Sequence, residues 1–214
     1  MHDPAHPAEG VRVAFASAAG LLLGFKPPAT ARLVDHWLRD GDATSVWEAT
    51  GGDRLRTTAM WRLFGTEPGV RGWEIVLSAQ TAILSADARL AVTCRLPVGA
   101  VATVSFGTFS AERVSWSRVP APRATAVLVA PAAGDPTAHS AVLVVGHPRE
   151  ADGTTVHRDA ATIVIETRLF LAGLEKGVLL RGRVLAAIGP AVTAADWASR
   201  LADAFAAASP ELST

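Results

Sequence analysis

TIVIETRLFLAGLEKGVLLRGRVLAAI, residues Thr162 to Ile188, is the stretch whose reading decides the fold. Two runs of alternating character flank Gly173-Leu174-Glu175-Lys176-Gly177. Period two is the mark of a half-buried strand, and glycines at both ends of the joint mark a turn. The pattern predicts a hairpin with Leu171 opposite Leu180, Leu169 opposite Gly182, Thr167 opposite Val184 and Ile165 opposite Ala186. One face is then apolar, with Leu169, Leu171, Leu180, Val184 and Ile188 in the core. A slip of one residue would mix the faces, so the parity is well specified.

The other face of this hairpin carries Glu166, Arg168, Phe170, Arg181 and Arg183. Arg168 falls opposite Arg183, which is unfavourable unless an anion or Glu166 offsets it. Guanidinium forks bind carboxylates and phosphates bidentately. Arg168, Arg181, Arg183 and Glu166 are therefore the candidate ligand-binding residues. The competing reading is a solvated outer face on which arginine stems cover apolar surface.

Further out, the same period recurs. Val11, Val13 and Phe15 alternate with Arg12, Ala14 and Ala16, and Leu55, Thr57, Ala59, Trp61 and Leu63 share a face. Strand runs follow at Gly72 to Ile83, Arg89 to Leu96, Val101 to Ser110, Arg113 to Val119, Thr125 to Ala130, His139 to Gly146, Thr154 to Leu171 and Val178 to Ile188. Gly, Pro and Asp mark the joints. Many short strands with no helices between them predict a mainly β fold, α+β only at its margins: an antiparallel sandwich or barrel of about nine to eleven strands.

Helical spacing occurs twice. Leu33, Val34, Trp37 and Leu38 form one apolar face between Thr30 and Gly41. Ser45 and Glu48 have a capping-box spacing, so a short helical segment is expected between residues 30 and 50, with a strand through Val46 and Trp47 as the alternative. Trp197, Leu201 and Phe205 form the stripe of a C-terminal helix over 194 to 208, with Thr193 as N-cap and Pro210 beyond its end. Residues 1 to 10 have no periodicity and are expected to be disordered. Residues 11 to 214 are read as one β-rich domain, since no linker divides them.

Composition narrows the function. Half of the 214 residues are hydrophobic and 19% are charged, which excludes a disordered chain. Twenty basic residues balance twenty acidic ones, so no basic excess serves a nucleic acid partner. Zero net charge also favours self-association, and a homo-oligomer is one expectation. The chain has no Asn or Tyr, two Lys against eighteen Arg, and 42 Ala. That usage points to a GC-rich, bacterial genome, and it explains the arginine excess without phosphate recognition. The one cysteine, Cys94, excludes an intrachain disulfide and lies in phase with Leu90, Val92 and Leu96 as a buried hydrophobe. No run of about 18 apolar residues predicts a membrane helix, and the acidic segment before Val11 is wrong for a signal peptide. The expected location is cytoplasmic.

Catalytic signatures are sparse. There is no phosphate loop, nucleophile elbow, H-E-x-x-H motif or dinucleotide fingerprint. No metal ligand set or cofactor is assigned. His147 and His157 could approach across a hairpin with Glu150 and Asp159, but that is no spacing motif. Glu74 and Glu166 each interrupt an apolar strand and would serve as an acid and base pair if they met in a cleft. The six tryptophans, Trp37, Trp47, Trp61, Trp73, Trp116 and Trp197, supply core volume or line a ligand cavity. The leading expectation is a non-catalytic binding or interaction domain with a Trp-lined apolar pocket for a small-molecule ligand. The alternatives are a hydrolase or isomerase acting on a small molecule or carbohydrate through carboxylates, and a structural subunit of a homo-oligomer.

Overall fold

A computed structural model describes residues 6–15, 18–52, 54–64, 67–97, 102–131, 140–159, 161–170 and 173–209. Strands β1 (Val11–Phe15), β2 (Ala18–Phe25), β3 (Ala31–Arg39), β4 (Asp42–Ala49), β5 (Leu55–Phe64), β6 (Arg71–Thr81), β7 (Ser85–Ala86) and β8 (Leu90–Pro97) fill the first half. The second half holds β9 (Ala102–Ser110), β10 (Arg113–Ser117), β11 (Ala126–Pro131), β12 (Ser140–Gly146), β13 (Ala151–Arg158), β14 (Thr162–Leu169), β15 (Leu174–Glu175) and β16 (Leu179–Pro190). Helix α1 (Ala194–Ala207) follows a 3-10 turn at Ala191–Thr193. The expected β fold is thus observed, with more strands than the nine to eleven expected.

All ladders are antiparallel and form an open sandwich with no closed barrel. One sheet has five strands in the order β1-β2-β8-β14-β13. The other has nine, in the order β10-β9-β11-β12-β16-β6-β5-β4-β3. A two-stranded ribbon pairs β15 with β7. The main core lies between the sheets, where Leu22, Cys94, Leu96, Ile163 and Ile165 of one meet Ile75, Leu77, Val142 and Val184 of the other. A second core lies behind the larger sheet, where Trp197, Leu201 and Phe205 of α1 cover Leu143, Val145 and Leu185. Strands β12 and β16 are therefore buried on both faces, and their sequences are correspondingly continuous in apolar residues.

The segment from 30 to 50 is a hairpin, not helical, and the alternative strand through Val46 and Trp47 is its second arm. Asp40 and Gly41 have φ of 52° and 91° and join Arg39 to Asp42 in a two-residue turn. Asp-Gly between strand-forming runs is a strong hairpin signal, and Gly41, read as a helix stop, is that turn. An extra residue at Val34, a bulge between Leu33 and Asp35, shifts the strand alternation there. It is this shift that gives Leu33, Val34, Trp37 and Leu38 their helical spacing.

The hairpin expected over Thr162 to Ile188 is also corrected. Strand β14 pairs with β13 and β8, whereas β16 pairs with β6 and β12. The two strands lie in different sheets. Facing layers of a sandwich demand the same apolar parity as a hairpin, so the pattern could not separate them. The inferred contact survives across the sandwich: a Cβ on Gly182 would stand 3.0 Å from a methyl of Leu169. Leu169 and Val184 are buried as expected, Leu180 and Ile188 are half-buried, and Leu171 lies outside the described residues. Arg183, expected on an exposed face, is buried.

The run from Thr154 to Leu171 breaks at Asp159, whose carboxylate accepts the amides of Ala161 and Thr162 at 2.8 and 2.7 Å. Such a side-chain turn replaces the ladder locally. Of the first ten residues, Pro7–Glu9 form a 3-10 turn with Pro7 buried, and residues 1–5 lie outside the described set, as do Pro210 and His139. Thr193 precedes α1 but makes no side-chain cap bond. No helix among the described residues is long and apolar enough to cross a membrane.

Candidate functional site: an arginine-lined groove

Helix α1 covers only part of the larger sheet. Beyond it, strands β3, β4, β5, β6 and β16 expose their outer face as a groove of about 710 Å³. Cross-strand registers lay out its floor in rows. One runs Trp37, Thr44, Met60, Val76, Arg183. The next runs Asp35, Val46, Thr58, Ser78, Arg181. Four inter-strand steps make each row roughly 19 Å long. An exposed indole thus stands at one end and two guanidinium groups at the other.

Five arginines line the groove: Arg39, Arg56, Arg62, Arg181 and Arg183. Among the described residues no carboxylate lines it, although Asp35 ends the second row on the edge strand. Their acidic partners sit outside the lining. Arg56 donates to Glu48 at 2.7 Å, Arg62 to Glu74 at 2.7 Å, and Arg183 to Glu150 through Nε and Nη2 at 3.0 and 2.9 Å. Arg183 Nη2 also donates to the Ala208 carbonyl at 3.0 Å, just beyond α1, and its guanidinium lies 5.6 Å from the Phe205 ring centre. These contacts fix the guanidinium positions before any ligand arrives, which lowers the ordering cost of binding.

Burial raises the Glu74 carboxyl above its usual range; its bond to Arg62 and the charge of Arg183 pull the other way. Its Oε1 has no hydrogen-bond partner among the described residues. His147 is buried with Nδ1 3.3 Å from Glu150. Burial lowers its pKa; Glu150 opposes that and Arg183 reinforces it.

The four residues expected to form one anion site are divided between the two outward faces of the sandwich. Arg181 and Arg183 belong to the groove. Glu166 and Arg168 line a separate cavity of about 740 Å³ on the five-stranded sheet, where Arg168 lies 3.8 Å from Asp152. The suggested acid and base pair fails for the same reason, since Glu74 and Glu166 lie on opposite outer faces. His157 is exposed on β13, while His147 is buried near α1, and no cluster of metal-ligating side chains occurs among the described residues.

The tryptophans are mostly structural. Trp47, Trp61 and Phe25 pack with ring centres 4.7 to 6.4 Å apart, and Trp61 Nε1 donates to the Leu23 carbonyl. Trp197 of α1 is buried against the larger sheet, and Trp116 donates to Ser199 of that helix. Among the described residues the groove holds a single tryptophan, Trp37, in place of the expected apolar pocket lined by several. Sequence reasoning missed Arg39, Arg56 and Arg62. The signal of Arg56 and Arg62 was present in the alternation of β5 and Arg39 lay in the segment read as helical, but only with the strand order could they join Arg181 and Arg183.

No family model matches the chain, and no curated protein matches it. Some solved structures resemble it distantly. A TPR-domain containing protein from Parabacteroides distasonis aligns at 8% identity over 75% of this chain and 34% of its own, with a TM-score of 0.46. A proposed mutarotase from Salmonella typhimurium aligns at 12% identity over 75% of this chain and 65% of its own, with a TM-score of 0.41. Heparinase III aligns at 13% identity over 78% of this chain and 22% of its own, with a TM-score of 0.36. The chain spans about a third of the first of these proteins. The groove alone carries the functional argument.

Proposed function

We propose that the protein is a binding domain that holds an acidic carbohydrate chain in the groove. The observation that carries this reading is a lining, among the described residues, of five arginines and one exposed tryptophan with no carboxylate between them, Asp35 standing only at the edge-strand end of a row. Guanidinium groups recognise carboxylates or sulfates bidentately. Trp37 offers an apolar ring face to the C–H face of a pyranose while its edge stays wet. Thr44, Thr58, Ser78 and Gln80 supply neutral hydrogen bonds for ring hydroxyls. Other anionic polymers fit less well. A single nucleic acid strand is held by stacking successive bases on several aromatics, and the groove has one. An extended peptide takes main-chain bonds from a strand edge. Here the floor is a sheet face whose interior amides are committed to ladders.

Titration calorimetry tests this with a galacturonic acid oligomer, its neutral galactose counterpart and an oligothymidylate. The acidic sugar binds, and more weakly as salt is raised, because exposed charge pairs are screened. The neutral sugar and the oligothymidylate bind at least tenfold more weakly. Arg181→Ser weakens binding by roughly tenfold to a hundredfold, the worth of a charged hydrogen bond. Equal affinity for the neutral sugar, or preference for the oligothymidylate, overturns the reading.

A further inference from the structure

Strand edges carry unpaired main-chain groups, and native proteins shorten, cover or charge them. Three edges of this sandwich are managed. Strand β1 has only five residues. In β10, the Val114 amide donates to Asp203 of α1 at 2.8 Å. In β13, the Thr154 amide donates to the Ala124 carbonyl at 2.7 Å. The fourth edge, β3, is nine residues long, and among the described residues no strand pairs with its outer side. It also displays Leu33, Val34, Trp37 and Leu38, each 39 to 64% exposed.

We infer that β3 pairs with β3 of a second copy, joining two nine-stranded sheets and two grooves across a two-fold axis. The turn fixes which groups are available. A two-residue hairpin loop closes on a hydrogen-bonded pair, here Arg39 and Asp42. The main-chain groups of Arg39 and Trp37 therefore point toward β4, and those of Leu38 and His36 point outward.

A two-fold axis perpendicular to the sheet must set residues of like parity opposite each other, so the register is centred on a residue. Centring on Trp37 makes Leu38 and the partner's His36 a hydrogen-bonded pair. It places Asp35 opposite the partner's Arg39, twice by symmetry, and Trp37 against its own copy. Opposite charges and aromatic pairs are both favourable across strands. Centring on Asp35 sets two carboxylates face to face. Centring on His36 leaves Asp35 against Trp37 and Arg39 against Leu33. Charge complementarity thus favours the Trp37 register over these two. Trp37 and Arg39 both line the groove. In the dimer the two grooves meet at the Trp37 pair and form one continuous trough.

Sedimentation equilibrium of the full chain, with no ligand present, tests this independently of the groove's occupant. The unmodified protein is a dimer. Asp35→Arg sets arginine against arginine and Arg39→Asp sets aspartate against aspartate; each weakens self-association by about tenfold or more. Mixed in equal amounts, the two variants restore both opposite-charge pairs and form a heterodimer at the unmodified protein's affinity. Both positions are exposed, and each variant is first shown to melt as the unmodified protein does. A monomer at all concentrations up to roughly 100 μM, an Asp35→Arg variant that dimerises normally, or a mixture that stays monomeric overturns the inference.

Discussion

Arg183 is buried with its guanidinium held between Glu150 and the Ala208 carbonyl. Alternation put it on the far side of the strand from Val184, which is correct. Charge then suggested solvent, because arginine is rarely fully buried. Helix α1, more than ten residues further along, closes over that side. Arg183→Glu is therefore expected to be strongly destabilising, since it sets a carboxylate against Glu150 and removes the bond to Ala208. Breaking one partner of a buried pair costs about 3–5 kcal/mol. Val184→Asp is equally damaging from the opposite face, where Val184 is fully buried. Thermal melts of the two variants check both statements, and a melt unchanged for Arg183→Glu would contradict the buried position. Cys94 was legible from parity alone. It is fully buried, the Leu23 amide points at its sulfur at 3.3 Å, and burial pushes the thiol up to about 12. A thiol reagent should label it only as fast as the protein opens, far slower than in denaturant. His147 gives a pH dependence. Its pKa is depressed on folding, so its contribution is complete above the ordinary value of 6.5 and is lost as pH falls through the folded value. Glu74, raised on folding, acts with the opposite sign: its contribution is complete below 4.5 and is lost as pH rises through its folded value. Melting temperature is expected to fall on acidification from pH 7 more steeply for the unmodified protein than for His147→Gln. Equal slopes would mean that His147 is solvated.

At the scale of elements, α1 was readable because its stripe needs no partner to be recognised. Trp197, Leu201 and Phe205 recur one turn apart and all three are buried. Trp197 fills the space beside Gly189, where an added Cβ would meet the indole at 2.7 Å, and its Nε1 donates to the Pro190 carbonyl at 2.9 Å. Trp197→Ala leaves a cavity and an unpaired carbonyl, and is expected to cost about 3–5 kcal/mol. A denaturation midpoint equal to that of the unmodified protein would show that α1 is not docked. The β3–β4 hairpin was misread because its bulge imitates helical spacing over a few residues. Length separates the cases: a helix needs the spacing to persist over several turns, and here Asp40-Gly41 interrupts it. Weighing the Asp-Gly turn above the capping-box spacing of Ser45 and Glu48 would have recovered the hairpin, and with it Trp37 and Arg39 of the groove.

For the whole molecule, strand faces were legible and strand neighbours were not. Parity depends on which side of a strand is apolar, a local property. Neighbours depend on closing loops across the chain, and many pairings satisfy one parity. The groove belongs to this second kind of information, since β3 and β16 meet on one face only through the order β16-β6-β5-β4-β3. That order gives the last strand a particular place. Strand β16 bonds to β12 on one side and β6 on the other, over seven and ten residue pairs. Without it the nine-stranded sheet is two four-stranded pieces, β10-β9-β11-β12 and β6-β5-β4-β3, each with a long apolar edge. Such edges are templates for aggregation. Deleting α1 alone uncovers Leu143, Val145 and Leu185 but keeps both ladders of β16. A chain ending at residue 190 is therefore expected to retain its strand circular dichroism while losing stability and binding a hydrophobic dye. A chain ending at residue 178 is expected to be insoluble or unfolded, and a separately supplied peptide of residues 179–209 to rescue it in part by filling the vacant strand. Cooperative melting of the 178-residue chain without the peptide would show that the two halves do not need β16 to hold together.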